Sequence, residues 1–251
     1  MSRPELPTLL VFTLGSRTDA RRHPLLGPAA TGLELGVRRA CLEGAFDAGR
    51  AAQMQLVVCS PEPLAEAPMD SRWLRQEPGS FGERFAAAVE QGVSKEGAPL
   101  VIVGADVPGL ESGLFEAALD GLAQDPDAVV VGPARDGGFY LLATARPLGP
   151  VLTEVRWCGA DTRETLLAAL ARAGRPVVLL PPLRDLDRPR DLEGWLAERR
   201  PSPRPLRLWF DRLRVFLGGR RRPLAALDAH SLSQGAFASI PGRAPPLLAP
   251  S

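Results

Sequence analysis

Three short blocks of this chain place carboxylates where α/β proteins do chemistry. The apolar run Val101-Ile102-Val103 ends in Gly104-Ala105-Asp106-Val107-Pro108-Gly109. A second run ends in Gly132-Pro133-Ala134-Arg135 and delivers Asp136-Gly137-Gly138, followed by Phe139-Tyr140-Leu141. A third block reads Asp185-Leu186-Asp187-Arg188-Pro189-Arg190-Asp191. Short continuous apolar runs mark buried parallel strands, and ligands of open α/β sheets bind outside the carboxyl ends of such strands. A carboxylate beside a Pro-Gly turn can hold a divalent cation whose other ligands are phosphate oxygens, and that cation would neutralise a departing diphosphate. Paired glycines let a ligand approach the backbone while Asp136 accepts its hydroxyl hydrogen bonds or a proton. Each block also has a plainer reading. Asp106 would be a turn residue and Asp136-Gly137 a hairpin turn. Asp187 would cap a helix that carries Asp191 in its first turn.

The elements that must position these residues follow from hydrophobic periodicity. Leu9-Leu10-Val11-Phe12 reads as a strand ending at Gly15, and residues 28–48 as a helix with Leu33, Val37, Cys41 and Ala45 on one stripe. Leu56-Val57-Val58-Cys59 is a second strand, followed by a Pro-rich connection with a short strand near Trp73-Leu74. Ser80 and Glu83 have capping-box spacing ahead of Phe81, Phe85 and Val89. Further strands are expected at 100–103, 128–131 and 177–180, with an extended return at 138–143. Helices are expected at 111–123, behind a second capping box at Asp161 and Glu164, and at 189–199. This alternation predicts a three-layer α/β/α domain over residues 1–200 with a mostly parallel central sheet. A Pro-rich linker and an amphipathic helix occupy 201–222, with Leu206, Trp209, Phe210, Leu213, Phe216 and Leu217 on one face. Residues 223–251 lack periodicity and read as disordered.

Bulk composition narrows the function. The 251 residues carry a net charge of +1, so no global field argues for nucleic acid. Hydrophobic residues at 45% supply a sizeable core. The three cysteines, Cys41, Cys59 and Cys158, are odd in number and lack metal-type spacing. With no signal peptide and no apolar stretch long enough to span a membrane, the expectation is a cytoplasmic, thiol-reduced protein.

These blocks in this order resemble a bacterial glycosyltransferase family, formerly a domain of unknown function, that includes arsenosugar-biosynthesis and radical-SAM/selenodomain-associated transferases. The resemblance runs from about residue 9 to 196. It rests on Gly79-Ser80-Phe81-Gly82-Glu83-Arg84-Phe85, on Gly104-Ala105-Asp106-Val107-Pro108-Gly109-Leu110, on the block from Gly132 to Leu141 and on Asp185-Leu186-Asp187-Arg188-Pro189-Arg190-Asp191-Leu192. It implies a GT-A-like, Rossmann-like nucleotide-diphospho-sugar transferase fold with a nucleotide-sugar donor, a small-molecule acceptor and Mg²⁺ or Mn²⁺. Asp106 and Asp187 would be metal ligands, and Asp106 and Asp136 the catalytic carboxylates. Gly137, Gly138, Tyr140 and Trp157 would line the substrate side. Gly15, Arg17, Arg21, Arg22, Glu83 and Arg84 would face nucleotide or phosphate. Two blocks depart from the family. Its G-R-V-K-T-R-L loop reads here Gly15-Ser16-Arg17-Thr18-Asp19-Ala20-Arg21-Arg22, which puts Asp19 at the lysine position. Its W-S-T block reads Trp157-Cys158-Gly159. A carboxylate beside a diphosphate repels it, by about 1 kcal/mol or more for a close, partly screened pair.

The expectation is therefore a metal-assisted glycosyl transfer from a nucleotide-diphospho-sugar. The alternatives are a nucleotidylyltransferase acting on a small phosphorylated substrate, and a catalytically degenerate binding or scaffold module. The helix within residues 204–222 would serve a homodimer or a membrane surface, or cover an apolar patch of its own domain.

Overall fold

The protein is described from a computed structural model, which describes residues 6–26, 28–93, 98–198 and 204–218. Its centre is a mixed sheet of seven strands in the order β3-β2-β1-β4-β6-β5-β7. The strands are β1 (Thr8–Phe12), β2 (Gln55–Ser60), β3 (Arg72–Arg75), β4 (Leu100–Gly104), β5 (Val129–Pro133), β6 (Phe139–Thr144) and β7 (Val177–Leu179). Neighbours are parallel except β6, which runs antiparallel between β4 and β5. The expected return at 138–143 is thus a central strand. It brings the Asp136 turn to the same edge of the sheet as the carboxyl ends of β1 and β4.

The helices are α1 (Ser16–Arg22), α2 (Thr31–Ala51), α3 (Phe81–Gly92), α4 (Ser112–Gln124), α5 (Thr162–Arg172), α6 (Pro189–Glu198) and α7 (Arg204–Gly218). They cover both faces, as buried strands with apolar side chains on each side require. One core lies between the sheet and α2 with α4, around Leu9, Phe46, Val101 and Phe115. The opposite core packs Leu10, Phe85, Ile102 and Leu166 under α3 and α5.

Local signals explain where the helices begin. Before α3 the capping box forms in full: the Glu83 N–H donates to Ser80 Oγ, and Glu83 Oε2 accepts from the Ser80 N–H at 2.8 Å. The second expected box does not form. Asp161 (φ −105°, ψ 8°) lacks the extended backbone of a capping residue, and its carboxylate pairs with Arg156 at 2.7 Å instead.

The amphipathic helix α7 packs on its own domain. Leu206, Phe210 and Leu213 are buried with Val37, Cys41, Leu186 and Trp195, and Phe210 stacks on Trp195 at 5.4 Å. Of the apolar face named from the sequence, these three residues are buried within the chain, and Trp209, Phe216 and Leu217 are partly buried beside them. The linker prolines Pro201 and Pro203, the basic run at 220–222 and the tail 223–251 lie outside the described residues. No helix among those described is long and apolar enough to cross a membrane.

Candidate active site

The site is built at the carboxyl edge of β4, where three loops converge. Asp106 follows β4 by two residues, and its Oδ1 lies 2.7 Å from where a Cβ on Gly104 would stand. Any side chain at residue 104 would therefore drive the carboxylate out of its place. Past the end of β7, residue Leu183 bonds along the Asp136 turn: its N–H donates to Pro133 O at 3.0 Å and its carbonyl accepts from the Arg135 N–H at 3.0 Å. Three residues on, the Leu186 N–H donates to Asp106 O at 3.0 Å. The segment thus crosses from β5 to the end of β4. Leu186 is 1% exposed. In an extended segment alternate residues point to opposite sides, so Asp185 and Asp187 emerge together on the side away from Leu186.

Oxygens of Asp136, Asp185 and Asp187 lie within 4.8 Å of one another. Asp187 is also hydrogen-bonded to Asp106, and Asp19 on α1 adds its negative field to Asp106. Burial, joined by the charges of Asp106, Asp136 and Asp187, pushes the Asp185 carboxyl up to about 8. Burial and the mutual field raise the Asp106–Asp187 pair as well. Asp19 is raised by burial, against a Thr13 Oγ1 hydrogen bond of 3.1 Å and the charges of Arg38, His23 and Arg22. Arg38 is already paired with the buried Glu34 at 3.3 Å and donates to His23 O. Glu34 in turn accepts from the N–H groups of Leu25 and Leu26.

This donor set suits a hard divalent cation. Carboxylate oxygens are the ligands that Mg²⁺ and Mn²⁺ select, with remaining positions left to water or phosphate. The crowding of like charges that raises these carboxyls is the imbalance a cation removes. Of the expected ligands, Asp106 and Asp187 are brought together here, with Asp136 beside them. Asp185 completes the group. The aspartates two residues apart around an apolar Leu186 were the available signal.

The expected nucleotide-side residues occupy a second region. The Gly15 N–H donates to Thr13 Oγ1 at 2.9 Å and the Ser16 N–H to Glu66 Oε1 at 2.7 Å, so the chain's own groups satisfy this loop. Arg17, Arg21 and Arg22 are exposed on α1. Glu83 is engaged as the α3 cap. Arg84 donates to Gln76 Oε1 at 2.7 Å and lies 5.9 Å from the Phe12 and Phe81 ring centroids. Sequence reasoning missed Gln76, which is 5% exposed and donates to both Thr13 O and Cys59 O, tying the ends of β1 and β2 together.

On the expected substrate side, Gly137 and Gly138 form the Asp136 turn, with the Gly138 N–H on Asp136 Oδ1 at 2.8 Å. Trp157 is half-buried among Phe81, Phe85 and Phe139, and its indole N–H donates to Leu152 O. Tyr140 stands back from the edge. It is 3% exposed, donates to Pro181 O at 3.0 Å, and has its phenol pushed up to about 12 by burial. The strand alternation that leaves Phe139 partly exposed turns Tyr140 into the core.

The architecture is the GT-A-like fold of nucleotide-diphospho-sugar transferases. The family model for an uncharacterized protein conserved in bacteria (DUF2064) matches residues 35–159. A Desulfovibrio desulfuricans G20 protein assigned to the nucleotide-diphospho-sugar transferases superposes with a TM-score of 0.69 at 21% identity, covering 84% of this chain and 96% of that one. Two further structures resemble it more remotely. The 4-diphosphocytidyl-2C-methyl-D-erythritol synthase of Anaerococcus prevotii DSM 20548 has a TM-score of 0.47 at 8% identity, over 70% of this chain and 87% of that one. Glucosyl-3-phosphoglycerate synthase of Mycobacterium tuberculosis, crystallised with Mn²⁺ and uridine diphosphate, has a TM-score of 0.44 at 13% identity, over 75% of each chain. No curated protein matches the sequence.

Proposed function

We propose that the protein is a divalent-metal-assisted glycosyltransferase, moving a sugar from a nucleotide-diphospho-sugar to a small acceptor. The observation that carries this reading is the convergence of Asp106, Asp136, Asp185 and Asp187 on the carboxyl edge of this fold. Asp106, Asp136, Asp185 and Asp187 would hold Mg²⁺ or Mn²⁺, which supplies charge neutralisation for the leaving diphosphate. Asp136, at the tip of its turn with Oδ1 on the Gly138 N–H, would orient an acceptor hydroxyl beside the cation. Gly137 and Gly138 leave the backbone open for the acceptor to approach. The sequence resemblance to a family that includes arsenosugar-biosynthesis and radical-SAM-associated transferases supports the same class of reaction. Three free cysteines, two of them buried, suit a reducing, cytoplasmic setting.

Nucleotidylyl transfer is the second reading, and one observation weighs against it. A triphosphate needs a basic cradle after the first strand. Here Glu66 occupies the Ser16 N–H, Thr13 occupies the Gly15 N–H, and the half-buried Asp19 adds its negative field to Asp106. Product analysis separates the two: glycosyl transfer releases a nucleoside diphosphate, nucleotidylyl transfer releases pyrophosphate.

The first test is a thermal-shift screen against nucleoside diphosphates, triphosphates and nucleotide sugars, with and without Mn²⁺. A ligand that binds only the folded state raises the melting temperature by mass action. A Mn²⁺-dependent rise for one nucleotide sugar, absent in Asp106→Ala, is the expected result. No rise with any nucleotide would sink the proposal and leave a non-catalytic binding module.

A further inference from the structure

We infer that Arg163 is the positioning residue for Asp136, acting through the backbone on either side of it. This inference rests on the metal-assisted reading above, and it explains how an exposed carboxylate at a hairpin tip is held in register with the half-buried Asp185 and Asp187. The turn from Ala134 to Gly138 is gripped from two directions. On one side Leu183 bonds to Pro133 and Arg135, tying the turn to the segment that carries Asp185 and Asp187. On the other side stands the first turn of α5. There the Arg163 N–H donates to Gly137 O at 3.0 Å, and Arg163 Nη1 donates to Ala134 O at 2.9 Å. These two carbonyls bracket Asp136.

The start of α5 is itself fixed. Thr162 Oγ1 shares its one hydrogen between the carbonyls of Arg156 and Gly159, at 2.9 and 2.8 Å, and accepts from the Gly159 N–H at 3.1 Å. The turn is seated directly against this loop: Gly137 has φ +104°, and a Cβ there would stand 1.9 Å from Ala160 O. Only a glycine allows that approach. With the backbone clamped at both ends and Oδ1 on the Gly138 N–H, Asp136 presents a carboxylate oxygen within 4.8 Å of ligand atoms of Asp185 and Asp187. Arg163 donates to peptide oxygens, so its contribution is the place of the carboxylate. Truncating its side chain leaves Ala134 O without that donor, so the α5 side then holds the turn only through the residue 163 N–H on Gly137 O. Groups that orient a metal ligand are worth about 10- to 100-fold in metal affinity.

The test measures Mn²⁺ binding to the full chain by the loss of the free-ion electron paramagnetic resonance signal, alongside melting temperatures in EDTA. Wild type, Asp106→Ala, Asp136→Ala, Arg163→Ala, Arg163→Lys and the Asp136→Ala/Arg163→Ala double variant are compared. Arg163→Ala is expected to weaken Mn²⁺ binding by about tenfold or more. Arg163→Lys, which retains an N–H able to reach Ala134 O, is expected to recover most of it. In the Asp136→Ala background, Arg163→Ala is expected to add nothing, because residues acting through one group are not additive. A merely structural arginine would weaken both backgrounds equally, and that result overturns the inference. So does an Arg163→Ala protein with wild-type affinity. Should Arg163→Ala not fold, Arg163→Lys and Gly137→Ala carry the test, and Gly137→Ala with wild-type Mn²⁺ affinity would overturn it. Failure of the underlying metal reading looks different: wild type and Asp106→Ala would then be equally unable to bind Mn²⁺.

Discussion

Asp185 and Asp187 show what happens when several carboxyls are folded into one edge of a sheet. Burial and mutual repulsion hold Asp185 protonated up to about 8, a range in which the unfolded chain has long lost that proton. The native state therefore binds more protons than the unfolded state from the ordinary carboxyl range up to about that value, so stability falls as pH rises through the window. In EDTA the melting temperature is expected to decline between about pH 5 and 8. Asp185→Asn should flatten the decline and raise the pH 8 melting temperature, with each kcal/mol worth roughly 2–4 °C in a domain of this size. The same variant should gain less from Mn²⁺. Differential scanning calorimetry across pH, with and without the metal, checks both, and an Asn variant that tracks wild type would contradict the crowding argument. The residues of the site thus oppose folding until a cation joins them.

At the scale of elements, the edge that carries the site is held open by side chains acting as braces. Gln76 bonds the carbonyls beyond β1 and at the end of β2 and accepts from Arg84, so the first two strands keep their spacing past the last ladder bond. Gln76→Leu would retain the approximate shape and strip Thr13 O of this donor, while Cys59 O keeps the Thr13 N–H at 3.0 Å. The expected loss is about 1–3 kcal/mol for a group so stranded, measured by urea denaturation. Ser80→Ala, which breaks the α3 capping box, should cost about 1 kcal/mol. That second variant calibrates the first: equal losses would mean that Gln76 contributes no more than an ordinary exposed cap.

For the whole molecule, α7 decides what surface is left. Its apolar face closes a third cluster against α2 and α6, with Phe210 3% exposed between Leu186, Trp195 and Cys41. Phe210→Ala should therefore cost about 3–5 kcal/mol, as truncation of a buried aromatic does. A helix that used this face on a membrane would show little effect on stability and a large one on vesicle binding. The expected outcome is the reverse, read by chemical denaturation and by co-sedimentation with anionic vesicles. Because Leu186 belongs to the same cluster, α7 also backs the segment that presents Asp185 and Asp187.

Much of this was legible from the chain alone, for a physical reason: strand and helix periodicity, a capping box and apolar runs ending in Asp-Gly are local. Leu9 to Phe12, the α2 stripe, the α3 cap and the return at 138–143 all stand where periodicity put them, and Asp106, Asp136 and Asp187 meet at one edge. Other features depend on which segments cross in space. The antiparallel placing of β6 brings the Asp136 turn to the end of β4. The crossing segment after β7 adds Asp185 to the cluster, and the turn at Asp161 gives its carboxylate to Arg156 in place of a helix cap. Glu66 reaches Ser16 from fifty residues away, and Arg163 reaches Ala134 across twenty-nine. Sequence decides which carboxylates are available at strand ends, because strand propensity and turn chemistry act over a few residues. Only the tertiary structure decides which of them share a site, because that is set by packing between segments distant in the chain.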